Sequence, residues 1–189
     1  MIWKRIFGRR QGEEEAFSLY RAVVAQARQP AFYRHGGVPD TVEGRFEMVA
    51  LHAFLVLWRL RDGGADGRAL GQRLFDVLFD DMDQTLREMG VGDLSVGKKV
   101  KALASSFYGR IGAYETGLRA EGDGKLAEAL ARNVFGQSTA AHAGALAGYV
   151  RQCDAALSAQ PVEGILAGRV VFAAPPEEVG VASGLAAGI

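Results

Sequence analysis

Apolar residues recur every three or four positions along most of this chain, the spacing of a helix face rather than the alternation of a strand. Over residues 13–28 Phe17, Tyr20, Val23, Val24 and Ala27 form such a face. Glu13, Glu14 and Glu15 open it and Arg28 closes it, each sign suiting its end of the helix dipole. Pro30 ends the segment, and Phe32-Tyr33-Arg34-His35-Gly36-Gly37-Val38-Pro39 reads as a loop with aromatic anchors. A second helix opens at Asp40 or Thr41, where Asp40 and Glu43 stand at capping-box spacing. From residue 46 to 60 its apolar side chains run all round, so it is either the buried centre of a bundle or covered by a partner. A monomer rarely leaves so large an apolar surface wet, so the buried centre is expected.

Gly63-Gly64 breaks the chain and Asp66 can cap a third helix, whose inner face is Leu70, Leu74, Val77, Leu78, Met82, Leu86 and Met89, up to a stop at Gly90. Ser95 can cap a fourth, lined by Val96, Val100, Leu103, Phe107, Ile111, Tyr114 and Leu118. Two Ala/Gly-rich helices follow, over 125–135 and 139–157, the latter with Leu146, Tyr149, Val150, Cys153 and Leu157 inward. Residues 169–173 read as a short extended piece, and from Pro175 onward proline, glycine, alanine and acids predict no core contact. The expected fold is all-α, a single helical bundle of about six helices. It divides into a basic amphipathic segment at 1–12, a helical domain at 13–160 and an irregular, flexible C-terminal tail at 161–189.

Composition narrows the function. With 22 Lys+Arg against 22 Asp+Glu, the chain lacks the basic surplus that displaces counterions from nucleic acid, so no nucleic-acid specificity is expected. Its one cysteine, Cys153, cannot form an internal disulfide, which points to a reducing compartment. The densest apolar run, residues 48–58, is far shorter than the ~20 residues needed to cross a bilayer. Glutamates stand where a secretory signal would place its apolar stretch, so the expected location is cytoplasmic. Ile2, Trp3, Ile6 and Phe7 alternate with Lys4, Arg5, Arg9 and Arg10, the composition of a short interfacial anchor or of a frayed basic terminus. Trp3, Lys4, Arg5 and Phe7 are the candidate membrane contacts.

Candidate chemistry is sparse. Asp76, Asp80, Asp81 and Asp83 look like the aspartate-rich helix of all-α isoprenoid synthases, in which paired carboxylates hold Mg²⁺ and a diphosphate. Gln84, however, stands where the last aspartate of a DDxxD motif belongs, and a second such helix is missing. A solvated helix face is the plainer reading. His35, His52 and His142 show no metal-ligand spacing, and His52, inside the apolar helix, reads as a hydrogen-bonded core residue. Ser105-Ser106 has no identifiable triad partner, and the glycine-rich pieces lack the spacing of a phosphate loop. No catalytic residue, metal site or cofactor is assigned. Lys98, Lys99 and Lys101 form a basic strip beside the acidic third helix, either pairing with it or polarising the surface for a partner.

Three ordered motifs carry a resemblance. They are Tyr33-Arg34-His35-Gly36-Gly37-Val38-Pro39-Asp40-Thr41-Val42-Glu43-Gly44-Arg45-Phe46-Glu47; Asp80-Asp81-Met82-Asp83-Gln84-Thr85-Leu86-Arg87-Glu88-Met89-Gly90-Val91-Gly92-Asp93 with Val96-Gly97-Lys98-Lys99-Val100-Lys101; and Phe107-Tyr108-Gly109-Arg110 with Ala113-Tyr114. Together, over about residues 29–157, they resemble the ubiquinol–cytochrome c chaperone family, in its bacterial branch. The resemblance implies an assembly chaperone, not an enzyme: one that binds newly made cytochrome b, assists its haem loading and passes it to the growing bc1 complex. It also implies a small partner subunit, a ribosome contact and peripheral association with the inner membrane. On this reading the candidate partner-binding residues are Asp40, Thr41, Arg45, Glu47, Asp81, Asp83, Arg87, Glu88, Asp93, Lys98, Lys99 and Lys101. The apolar second helix, Phe32-Tyr33, Met82 and Met89 are candidates for holding an apolar client, methionine being adaptable at such surfaces. The alternative is a small Mg-dependent isoprenoid-diphosphate enzyme using the four aspartates, and a third reading is a structural membrane adaptor anchored by residues 1–10.

Overall fold

The structure, a computed structural model, describes the backbone of residues 2–136 and 142–176 and, from residue 12 on, their side chains apart from that of Leu94. Eight α-helices occur among them: α1 (Ile2–Ala27), α2 (Pro30–Arg34), α3 (Val42–Leu60), α4 (Gly64–Glu88), α5 (Asp93–Arg119), α6 (Gly124–Asn133), α7 (Ala143–Ala159) and α8 (Val162–Leu166). Six are long, α2 and α8 are single turns, and the described residues contain no strand. The all-α expectation holds.

α3 is the axis of the bundle. Every residue from Met48 to Val56 is buried, as its all-round apolar pattern requires. α1 and α4 pack against it and each other, α5 and α7 reach it from other sides, and α6 bridges α5 and α7. Burial on this scale leaves α3 unavailable as a client surface, and Phe32, fully buried, is likewise core. Thr41 caps α3, its Oγ1 accepting from the Gly44 amide at 3.1 Å. The expected Asp40–Glu43 box does not form; the Asp40 carboxylate instead accepts from Arg45 Nε at 2.6 Å.

Two polar groups lie inside this apolar axis, and both are satisfied. His52 Nδ1 lies 2.7 Å from the Met48 carbonyl, which can only accept, so Nδ1 carries the proton. Nε2 must then accept from the Tyr149 hydroxyl at 2.7 Å, and that oxygen accepts in turn from Gln26 Nε2 at 2.9 Å. This directed chain ties α1, α3 and α7 together. Burial lowers the His52 pKa to about 4, so the imidazole is neutral. The other group is Glu47, whose carboxylate meets the Arg110 guanidinium of α5 through both oxygens, one at 2.5 Å. Burial pushes the Glu47 carboxyl above its ordinary range while the guanidinium pulls it back.

Several boundaries differ from expectation. α1 begins at Ile2 rather than near residue 13, because nothing in residues 2–12 breaks a helix; only Gly8 and Gly12 weaken it. Pro30 begins α2 as well as closing α1, since its ring suits a first helical turn. Gly63, not Asp66, occupies the cap position of α4, and Gly92, not Ser95, that of α5. Gly90, at φ +84°, ends α4 as expected. At the other end of α4, a Cβ on Gly67 would lie 1.9 Å from the Leu60 carbonyl oxygen, so only glycine lets α4 start this close to α3.

Residues 161–176 are not a tail. Ile165 of α8 is fully buried, and Phe172 packs on the core with its ring edge-on to His52 at 5.2 Å. Gln160 holds this strip by exchanging hydrogen bonds with the Val171 backbone, which stays irregular rather than forming a strand. The tail expectation over 177–189 lies outside the described residues, as do the side chains of Trp3, Lys4, Arg5 and Phe7.

Candidate functional site

The hairpin of α4 and α5 is built differently from the rest. Near the core, Phe75 and Phe79 of α4 interleave with Phe107 of α5 at ring separations of 5.9 Å. Toward the turn the two helices leave the main core: Met82, Leu86 and Val91 are half-buried without joining it, and Met89 is 58% exposed. Val96 is buried, yet it too lies outside the main cluster. The hairpin end thus carries an apolar strip with little behind it.

Charges frame that strip. Arg87 donates to Asp83 at 2.5 Å, four residues back, and reaches across the turn to Asp93 in the first turn of α5. Gln84 donates to Glu88 at 2.9 Å. Asp81 turns the other way and accepts from the Tyr20 hydroxyl of α1 at 2.6 Å. Burial, then this carboxylate, raises the Tyr20 pKa. Lys98, Lys99 and Lys101 are exposed, and none of the three forms an ion pair among the described residues. The strip and the lysines therefore share one end of the molecule, with the acidic stripe of α4 beside them.

The four aspartates do not converge. Asp76 accepts from Gln72 at 2.8 Å and Asp80 faces solvent, while Asp81 and Asp83 are held by Tyr20 and Arg87. Among the described residues no three His, Cys, Asp or Glu side chains gather as a metal site. The isoprenoid reading draws no support from this geometry.

The other candidates lie around the start of α3. Asp40 and Arg45 pair in the open, with about half of each side chain exposed; Thr41 caps the helix; and Glu47 is committed to Arg110. Structure places these four together at one end of α3, and Asp81, Asp83, Arg87, Glu88, Asp93 and the three lysines together on the hairpin. The two groups are joined only through the core.

Sequence reasoning missed a groove of about 190 Å³ between α3, α4 and α5. Leu57, Leu60, Phe75 and Ile111 line it, Tyr108 stacks on Phe75 at 5.3 Å while 58% exposed, and Arg68 sits at its edge. The available signal was the pair Gly67 and Gly71, four apart on α4 with their bare faces toward α3. It also missed Arg151, which donates to the Gly117, Leu118, Ala120 and Gly122 carbonyls and so caps the end of α5 from α7.

Fold and site together define an all-helical bundle whose distinctive surface is a charged, partly apolar hairpin. The chain belongs to the ubiquinol–cytochrome c chaperone family, matching its pattern over residues 34–172. The match runs past residue 157 and takes in α8 and Phe172, the segment that joins the core. The chain is similar to the Cbp3 homolog from Brucella abortus, whose crystal structure aligns at a TM-score of 0.81 with 39% identity, covering 92% of this chain and 97% of that one. It is also similar to ubiquinol-cytochrome c reductase complex assembly factor 1 of Mus musculus, 28% identical over 65% of this chain and 41% of the mouse protein. The Xenopus laevis protein is 25% identical over 64% of this chain and 60% of its own length. The chain thus spans less than two thirds of these curated relatives. No helix among the described residues is long and apolar enough to cross a membrane.

Proposed function

We propose that this chain is an assembly chaperone for the cytochrome bc1 complex and that it acts by holding newly made cytochrome b. Family membership and the relatives' names support the first half. The observation that carries the second is the apolar strip of Met82, Leu86, Met89 and Val91, outside the core and framed by Asp83, Arg87, Glu88, Asp93, Lys98, Lys99 and Lys101. A client with apolar helices and charged loops needs both kinds of contact, and methionine adapts to varied apolar shapes. Asp81 orients the hairpin through Tyr20. Asp40 and Arg45 are exposed enough to contact a partner, whereas Thr41 and Glu47 serve by holding α3 in place. Trp3, Lys4, Arg5 and Phe7 are proposed as the peripheral contact with the inner membrane, and a small partner subunit and the ribosome as further partners.

The test is photocrosslinking from position 89 in intact cells, beside measurement of assembled bc1 complex in strains carrying Met89→Asp or Lys98→Glu/Lys99→Glu. All these positions are exposed, so the fold should survive. Cytochrome b should be captured from position 89, and both variants should lower the assembled complex while total chaperone stays constant. Wild-type levels of complex in both variants would sink the reading.

A further inference from the structure

A second hollow, of about 260 Å³, lies where α1, α2 and α3 meet, well away from the hairpin. Its walls are Arg28, Pro30, Tyr33, Arg34, Asp40 and Arg45. The three guanidinium groups come from three places in the chain: Arg28 follows α1, Arg34 ends α2 and Arg45 lies in the first turn of α3. Separate elements thus bring like charges to one concavity, which costs repulsion unless an anion is present. Asp40 is the single carboxylate of the lining, and it engages only Arg45 Nε. Arg45 keeps its two terminal nitrogens without an acceptor among the described residues, and the Arg28 and Arg34 side chains have no hydrogen-bond or ion-pair partner there. Arg45 also lies 5.9 Å from the centre of the Tyr33 ring, which Tyr33 holds still by donating to the Ala27 carbonyl at 2.7 Å. The charges of Arg28, Arg45 and Asp40 all act on the Tyr33 hydroxyl, so these groups share one electrostatic neighbourhood.

We propose that this hollow is a phosphate-binding site, in which Arg28 and Arg34 supply charge, the free fork of Arg45 orients the ligand and Asp40 acts as the counter-ion that the ligand displaces. The lining carries two guanidinium charges beyond what Asp40 offsets, which suits a phosphate group better than a single carboxylate, and guanidinium forks match phosphate geometry. The phosphate can belong to a lipid headgroup or to a soluble phosphate ester; the recognising chemistry is the same. The site is separate from any membrane contact at the start of α1, which lies roughly 35 Å away along that helix at 1.5 Å per residue.

The test uses the full chain, with glycerol 3-phosphate by calorimetry and vesicle flotation with phosphatidylcholine alone or mixed with phosphatidic acid. Arg28→Gln/Arg34→Gln is compared with Lys125→Gln/Arg132→Gln, which removes the same charge from exposed positions on α6. Circular dichroism checks that both remain folded. The first double variant should weaken binding by about tenfold or more, and the second should leave it unchanged. Asp40→Asn should tighten binding by removing the competitor. An effect on glycerol 3-phosphate identifies a soluble ligand, and one confined to phosphatidic acid vesicles a lipid. Failure to bind both probes, equal losses in the two double variants, or weaker binding by Asp40→Asn would overturn the proposal.

Discussion

The α3 axis and the α4–α5 hairpin end are both helical, yet they solve opposite problems. Within α3 the two buried polar groups are both matched: His52 sits in a directed hydrogen-bond chain and Glu47 in a two-point contact with Arg110. At the hairpin end the polar groups are solvent-exposed pairs and the apolar ones are half-covered. Enclosed polar groups are expensive to disturb and fix one arrangement, whereas exposed pairs contribute little and permit several. One region sets the fold, and the other is the surface proposed for a partner.

The sharpest way to break this contrast is to remove half of the enclosed pair. Glu47→Ala leaves the part-buried Arg110 without its carboxylate, with only the Ser106 hydroxyl as partner, and should lower unfolding free energy by about 3 kcal/mol in urea denaturation. Replacing both partners with apolar residues, Glu47→Leu with Arg110→Met, should recover most of that loss, since nothing charged is then stranded. A single-variant loss no larger than that of an exposed pair would show that the pair does not organise α3 and α5.

His52 gives the next largest effect, and its sign is set by burial. The folded-state pKa of about 4 lies below the ordinary histidine value of 6.5. Between these values the unfolded chain binds a proton that the native chain refuses, so stability is lost as pH falls from about 6.5 toward 4. At ~1.36 kcal/mol per pKa unit the loss approaches about 3 kcal/mol. Among the described residues no charged group meets the imidazole to soften this: it touches Met48, Tyr149, Phe32 and Phe172. His52→Gln should therefore be less stable than the parent at neutral pH, with the gap narrowing steadily on acidification. A gap that stays constant across that range would mean the imidazole is not excluded from charging.

How much of this was legible beforehand follows the range of each interaction along the chain. The place of α3 could be read because its apolar residues leave no wet face within one helix, and His52 could be read as core for the same reason. Glu47 and Arg110 lie 63 positions apart, and Tyr20 and Asp81 lie 61 apart, so no local pattern joins them. Ile165 and Phe172 escaped notice because each sits in a short apolar run, Ile165-Leu166 and Val170-Val171-Phe172, too brief amid glycine and alanine to show a period that marks a buried face. The hairpin charges were found through motif resemblance. The groove under Tyr108 and the arginine hollow were not found, because each depends on three elements meeting.

The smallest effect belongs to Arg87, and its smallness is what makes it informative. Arg87 joins Asp83 on α4 to Asp93 on α5 across the turn, but it does so in water, where each charge is already well solvated. Arg87→Ala should leave the urea midpoint unchanged within error. The hairpin turn has no apolar anchor in the main core, so this bridge is a local restraint, and local opening should report its loss where global unfolding does not. Backbone amides of residues 86–97 should exchange with solvent faster in Arg87→Ala, while those of residues 48–56 keep parental rates. If the α3 amides also speed up, the hairpin end and the axis form one cooperative unit, and the division between a fixed centre and an adaptable surface fails.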